Sequence, residues 1–234
     1  KNVVKPHLIR EWCLSELTTS FLWQMEKLLA LYALPYDPLH PLWCFDERPC
    51  QLLGDTLVPL PIEPGKPQRR NYEYERHGVG SVLLAVQPHT GCCFVRVRQQ
   101  RTARDYAEFM AAFVAAHGPA GGTIVLVQDN LNTHTPAAFY QAFAPEQAFA
   151  LMQRVEMHYT PKKASWLNMA EIQLSILAKQ CLDRRIPALD QLEQEVVAWV
   201  TQRNQQPVPI HWQFTPEVAR LKFKRFYPHL AKLR

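Results

Sequence analysis

Apolar positions recur along this chain with two periods, and the switches between them outline its elements. Within "SELTTSFLWQMEKLLALYA" (15–33), Phe21, Met25, Leu28, Leu29 and Tyr32 fall on one face of a 3.6-residue period. This predicts a helix, with Ser15 or Thr19 as its cap. "LPYDPLHP" follows, and its three prolines end the helix in a stiff connector. "LWCFDERPCQLL" (42–53), "VGSVLLAVQP" (79–88) and "GCCFVRVRQQ" (91–100) read as strands, the last two joined by a short turn at His89–Gly91. The stretch 59–78, rich in proline and charge, reads as loop. "TARDYAEFMAAFVAAHG" (102–118) is a helix that Thr102 can cap, with Asp105 in its first turn and Gly118 at its end. "TIVLVQ" (123–128) is unbroken apolar sequence up to Gln128 and predicts a buried strand. A short helix (136–144), a strand (154–160) and two longer helices (165–185 and 189–206) complete the chain.

Three strands joined by short connections form an antiparallel meander. Strands that then alternate with helices pair in parallel through crossovers. The order predicts an α/β fold: a ribonuclease-H-like mixed five-stranded sheet flanked by helices, with an N-terminal helical arm. Other mixed α/β folds share parts of that order. The prolines set the boundary, giving an arm and connector at 1–38 and a main domain at 39–234.

Two of these strands carry carboxylates where an apolar run stops. Asp46 follows "LWCF", and Asp129 follows "IVLVQ". Buried charge is costly without a partner, and sites in open α/β sheets gather at the carboxyl ends of strands. If the first and fourth strands are neighbours, these two carboxylates face each other and repel unless a cation lies between them. Glu171 shares a helical face with Leu167, Leu174 and Ala178, so it interrupts a stripe that should pack on the sheet. Each has an ordinary alternative: a salt-bridge partner at Asp46, a turn or cap residue at Asp129, a stripe-edge Glu reaching solvent at Glu171. Together they form an all-oxygen set suited to Mg2+ or Mn2+. Two such ions about 4 Å apart serve in-line displacement at phosphorus. No glycine-rich phosphate loop competes with this reading.

Composition adds limits. Apolar residues make up 47% of 234, enough for a large core. No stretch approaches the roughly 20 apolar residues that span a bilayer, so no membrane partner is expected. The first residues, "KNVVKPHLIREW", lack a signal peptide's apolar centre and an initiator Met, which suits a fragment or processed chain. The six cysteines then read as reduced thiols of a cytoplasmic protein. Their spacings match no familiar zinc pattern, and they read as small core hydrophobes. Net charge is only +5, but basic residues cluster at Arg69–Arg70–Arg76, Arg96–Arg98–Arg101–Arg104, Lys162–Lys163, Arg184–Arg185 and Lys222–Lys224–Arg225. Five clusters on one chain point to a polyanionic partner.

"CFDE" (44–47), "QDNLNTHTPAAFY" (128–140), "HYTPKKASWLNMAEI" (158–172), "QCLDRRI" (180–186) and "HWQFTPEVARLKFKRFYP" (211–228) together resemble bacterial insertion-sequence transposases of the mariner-like superfamily. Those enzymes carry a DDE endonuclease domain on a ribonuclease-H-like fold. The resemblance implies Asp46, Asp129 and Glu171 as catalytic residues and as ligands of two Mg2+ ions, with Mn2+ as a substitute. It implies that Asn130, His134 and Asn168 support them. Trp166 is read as a packing residue at the helix start. Lys162, Lys163, Arg69, Arg70, Arg184 and Arg185 are the candidate DNA contacts. The partners implied are transposon ends, target DNA and a second copy in a homodimer, and the location is the bacterial nucleoid. The arm and the C-terminal helices are the candidate dimer contacts.

The sequence departs from the family pattern in places. Arg48–Pro49–Cys50 replace small polar residues after Asp46–Glu47, and the Pro suggests a bulge or an edge position. Gln173 stands where an acidic residue often follows the catalytic Glu, and is expected to point away from it. Only the tail of a DNA-binding region, around "VKPHLIREWCLSE", could lie in this chain. Three rivals remain: a nuclease of the same fold that cuts without joining, a non-catalytic DNA-binding relative, and a small-molecule-binding α/β module.

Overall fold

The computed structural model describes residues 17–227. The whole "VKPHLIREWCLSE" motif (4–16), with Cys13 and Ser15, lies outside them. Five strands form one sheet: β1 (Leu42–Asp55), β2 (Tyr74–Val86), β3 (Cys93–Arg98), β4 (Ile124–Gln128) and β5 (Val155–Tyr159), in the spatial order β3-β2-β1-β4-β5. The first three strands are antiparallel, while β4 and β5 join β1 in parallel. This is the expected ribonuclease-H-like mixed sheet.

Strand parity divides the core. Trp43 and Phe45 of β1 face one side, against Phe109, Phe113 and Tyr106 of α2 (Ala103–His117). Cys44 of β1 and Val127 of β4 face the other, covered by α1 (Thr19–Tyr32), α5 (Ala170–Gln180) and α6 (Leu189–Gln205). Because Phe21, Leu22, Met25, Leu28 and Leu29 of α1 belong to this second core, the arm is packed onto the sheet from Phe21 onward. Glu26 of α1 takes two hydrogen bonds from Arg220 of α7 (Pro216–Lys222), at 2.9 and 2.6 Å, and one from Tyr227 at 2.7 Å. The arm and the C-terminal helix thus bind each other within one chain.

Several boundaries differ from the sequence reading. Thr18, not Ser15 or Thr19, caps α1 by accepting from Phe21 N–H. Strand β2 starts at Tyr74, inside the stretch read as loop, because 74–78 pairs with the far end of β1 in a solvent-exposed ribbon. Residues 74–79 of β2 are all exposed, so that stretch carries no alternation to read. Its register shifts at Leu52/Leu53, opposite Gly78, whose φ of +116° only glycine adopts readily. Pro49 lies elsewhere, beyond the last β1–β4 pair at Cys44, where β1 has become an edge. Thr102 caps α2 as expected, and Asp105 closes a capping box with it. Gly118 ends it with φ −66° rather than a left-handed turn, as suits a residue before proline. After α3 (Ala137–Ala142) comes an unforeseen helix, α4 (Pro145–Met152), with Pro145 at its first position.

The expected long helix at 165–185 is divided. A 3-10 turn, Ser165–Leu167, is followed by a break at Asn168 before α5 begins. The single stripe through Leu167 and Glu171 therefore does not exist. The buried face of α5 is Ala170, Gln173, Leu174 and Leu177. Gln173 does point away from Glu171, into the core, while Glu171 is exposed on the first turn.

Candidate active site

Parallel pairing of β1 with β4 sets Cys44 opposite Val127, and each strand then leaves the pair. Two residues on from each lie Asp46 and Asp129, which puts both on the parity of the α5-covered core. Asp46 is 9% exposed. One of its oxygens, Oδ1, accepts from the backbone N–H of Glu47 at 2.8 Å. The other, Oδ2, faces the Asn168 side-chain amide at 3.4 Å. Burial pushes the Asp46 carboxyl up to about 7; the Glu47 N–H opposes this, and the negative charges of Glu171 and Asp129 add to it. The three acidic groups therefore interact through space although they are distant in sequence.

Asn168 is buried and fully used. Its Nδ2 donates to Phe45 O at 2.7 Å and its Oδ1 accepts from Ala170 N–H at 3.1 Å, so one side chain ties the start of α5 to β1. Tyr32 of α1 donates to Leu167 O at 2.8 Å and steadies the preceding turn. Trp166 is 41% exposed and lies 5.7 Å from the Phe214 ring, between the turn and the C-terminal segment.

Beside Asp129 the structure holds a pair that sequence reasoning saw only in half. His134 is wholly buried, with Nδ1 at 2.5 Å from Asp129 Oδ1 and Nε2 at 3.2 Å from Glu47 Oε1. Burial alone would lower its pKa, but the hydrogen bonds to Asp129 and Glu47 outweigh that and push it up to about 9. The ring therefore bridges two carboxylates as an imidazolium. Glu47 was not foreseen. The signal was its parity: position 47 continues the inward-facing Trp43–Phe45 series, and its side chain is 3% exposed.

The other candidates divide. Asn130 is exposed and lines a groove with Trp23, Gln24, Lys27 and Thr160. It makes no hydrogen bond to Asp129 among the described residues. Lys162 and Lys163 are exposed in the turn leading to Ser165, where Lys163 takes a left-handed φ of 60°. Arg69 and Arg70 sit in the exposed 56–73 connection, remote in topology from the carboxylates. Arg185 does not fit as a DNA contact. It is paired with Asp55 at 2.6 Å and donates to the carbonyls of Glu73 and Tyr72 at 2.8 and 3.1 Å. It fastens the ribbon to the loop after α5. Arg184 is likewise engaged, with Glu195.

The carboxylates are right in kind for a hard divalent cation. Among the described residues, however, no three His, Cys, Asp or Glu side chains gather closely enough to hold one ion. Glu171 is the exposed member of the three.

The family profile described as DDE superfamily endonuclease matches residues 41–193, a span that contains all three carboxylates. The chain belongs to this family. No curated protein matches it in sequence. Among solved structures, this DDE domain resembles the Mos1 mariner paired-end complex with Mn at a TM-score of 0.59 and 14% identity, covering 96% of this chain and 67% of that one. It resembles the Mos1 strand transfer complex at 0.58 and 14%, covering 98% and 66%. The Mos1 paired-end complex with the left transposon end gives 0.55 and 12%, covering 98% and 67%. At such identities the likeness shows a shared fold, and the chain spans about two thirds of each Mos1 chain.

Proposed function

We propose that this DDE endonuclease domain is the catalytic domain of a DNA transposase of the mariner-like superfamily, of bacterial insertion-sequence type. The reading rests on one observation. Asp46 sits at the end of the β1–β4 pairing, buried, with Asp129 and Glu171 near enough to oppose its ionisation. Carboxylates that oppose one another's ionisation are relieved when a divalent cation is shared between them. Asp46, Asp129 and Glu171 would hold two Mg2+ ions, or Mn2+, which when bound activate the attacking oxygen and stabilise the leaving one.

This chain's residues supply the frame. Asn168 and the Glu47 N–H hold the Asp46 carboxylate, and His134 holds one oxygen of Asp129. Glu171 projects from the first turn of α5, where it is favourably placed in the helix dipole and free to change rotamer. The reaction is hydrolysis at a transposon end that frees a 3′-hydroxyl, which then attacks a target phosphodiester. Lys162 and Lys163, exposed on the turn into this helix, would neutralise backbone phosphates. A homodimer, each copy holding one end, suits two-ended cutting.

A strand-transfer assay with a pre-cut end bearing its element's terminal repeat tests the reading. Joining to target DNA in Mg2+ supports a transposase; cleavage without joining identifies a nuclease of the same fold.

A further inference from the structure

Glu47 stands one residue from Asp46 but faces the opposite side of β1, and nothing in the proposed chemistry needs it there. Its Oε1 meets His134 Nε2 at 3.2 Å, while its Oε2 is buried with no hydrogen-bond partner among the described residues. A buried carboxylate with an unpaired oxygen is an expensive thing to keep in a core.

Everything else around His134 fixes its position but not its ring orientation. Its carbonyl accepts from Gln128 Nε2 and from Tyr159 O–H, each at 3.0 Å. Tyr106 O–H in turn holds Gln128 Oε1 at 2.8 Å. The imidazole stacks on Tyr106 at 4.9 Å and meets the edge of Phe45 at 5.3 Å. Those aromatic contacts tolerate either ring flip. Among the described residues Glu47 alone gives Nε2 a partner, and it thereby reinforces the orientation that sets Nδ1 on Asp129. The contact at Nδ1 uses Asp129 Oδ1, leaving Oδ2 without a hydrogen bond among the described residues.

We propose that Glu47 is a positioning residue: through His134 it ties down one oxygen of Asp129, so that this carboxylate presents a single, fixed oxygen to a divalent cation. The proposal rests on the metal-site reading above. It assigns Glu47 no contact with the metal or with DNA.

Mn2+ titration of the DNA-free protein, followed by the electron paramagnetic resonance of free Mn2+, tests it without recourse to activity. Wild type that binds no Mn2+ would sink the metal site itself, and this proposal with it. If wild type binds, Glu47→Leu should weaken binding by roughly 10- to 100-fold, the usual effect of removing a group that orients a metal ligand. Glu47→Gln keeps an oxygen for Nε2 and should recover most of that loss. A Leu variant with wild-type near-ultraviolet circular dichroism and wild-type Mn2+ affinity overturns the proposal. Should the Leu variant fail to fold, the Gln variant decides. A smaller Mn2+ loss with a shifted His134 ring resonance supports the tether, and unchanged affinity with an unchanged resonance refutes it.

Discussion

Cys44 on β1 sits opposite Val127 on β4, and this pair is the last before the two strands part. Asp46 and Asp129, each two residues further on, inherit that alignment, while α5 packs across the same face with Glu171 on its first turn. Substituting Asp46→Asn, Asp129→Asn or Glu171→Gln should each cut Mg2+-dependent DNA cleavage by on the order of 10³-fold, since such ions supply several kcal/mol to the transition state. DNA binding should survive. Single-turnover cleavage checks each residue, and a near wild-type rate in any variant removes that residue from the site.

The metal-free protein should lose stability as pH rises. Asp46 binds its proton up to about 7 in the folded chain against 3.8 when unfolded, and His134 up to about 9 against 6.5. Both pKa values are raised on folding, so each contribution is complete below the unfolded value and gone above the folded one. Melting temperature in chelator should therefore fall from pH 4 to 7 through Asp46 and from pH 6.5 to 9 through His134. Asp46→Asn should flatten the lower part alone, and Mg2+ should offset it. A melting temperature that rises across pH 4–7 and is insensitive to Asp46→Asn contradicts the assignment.

Asn168 joins the two halves of the site. Asn168→Ala leaves the buried Phe45 carbonyl without its donor and the Ala170 N–H without its acceptor. Urea unfolding should show a loss of about 1–3 kcal/mol. Cleavage should also fall, because Asp46 and α5 are no longer tied together. Unchanged stability would mean that the Asn168 hydrogen bonds carry no weight.

The Lys162–Lys163 pair and Arg185 should behave differently on DNA. Lys162→Ala with Lys163→Ala should reduce the slope of log affinity against log salt by about 0.9 for each phosphate that the variant no longer neutralises. Arg185→Ala should leave that slope alone and lower stability by about 1–3 kcal/mol, since it breaks charge-assisted bonds to Asp55 and the ribbon. The opposite pattern would reassign both.

The element order was legible because the core strands and α2 carry strong, regular patterns: "TIVLVQ" has no polar interruption, and Thr102 and Asp105 spell out their capping box. Asp46 and Asp129 were legible for the same reason, each standing where an apolar run stops. The ribbon at 74–78 was not, because its β2 side is exposed residue after residue and has no buried face to impose a period. Glu171 was chosen on a helical stripe that the structure breaks at Asn168; the residue stands by the site for a different reason, as an exposed group on the first turn of α5. Glu47 escaped notice because a carboxylate beside another on a strand reads as solvent-facing. Arg185 showed the reverse failing, since a positive charge in a basic cluster gives no sign that Asp55 and two carbonyls already hold it.

The most direct test is a crystal of the protein soaked in Mn2+ and measured for anomalous scattering. The account predicts peaks between the β1–β4 divergence and the first turn of α5, coordinated by oxygens of Asp46, Asp129 and Glu171. Density elsewhere, or a Glu171 that stays beyond reach of the two aspartates with Mn2+ and DNA both present, would contradict it.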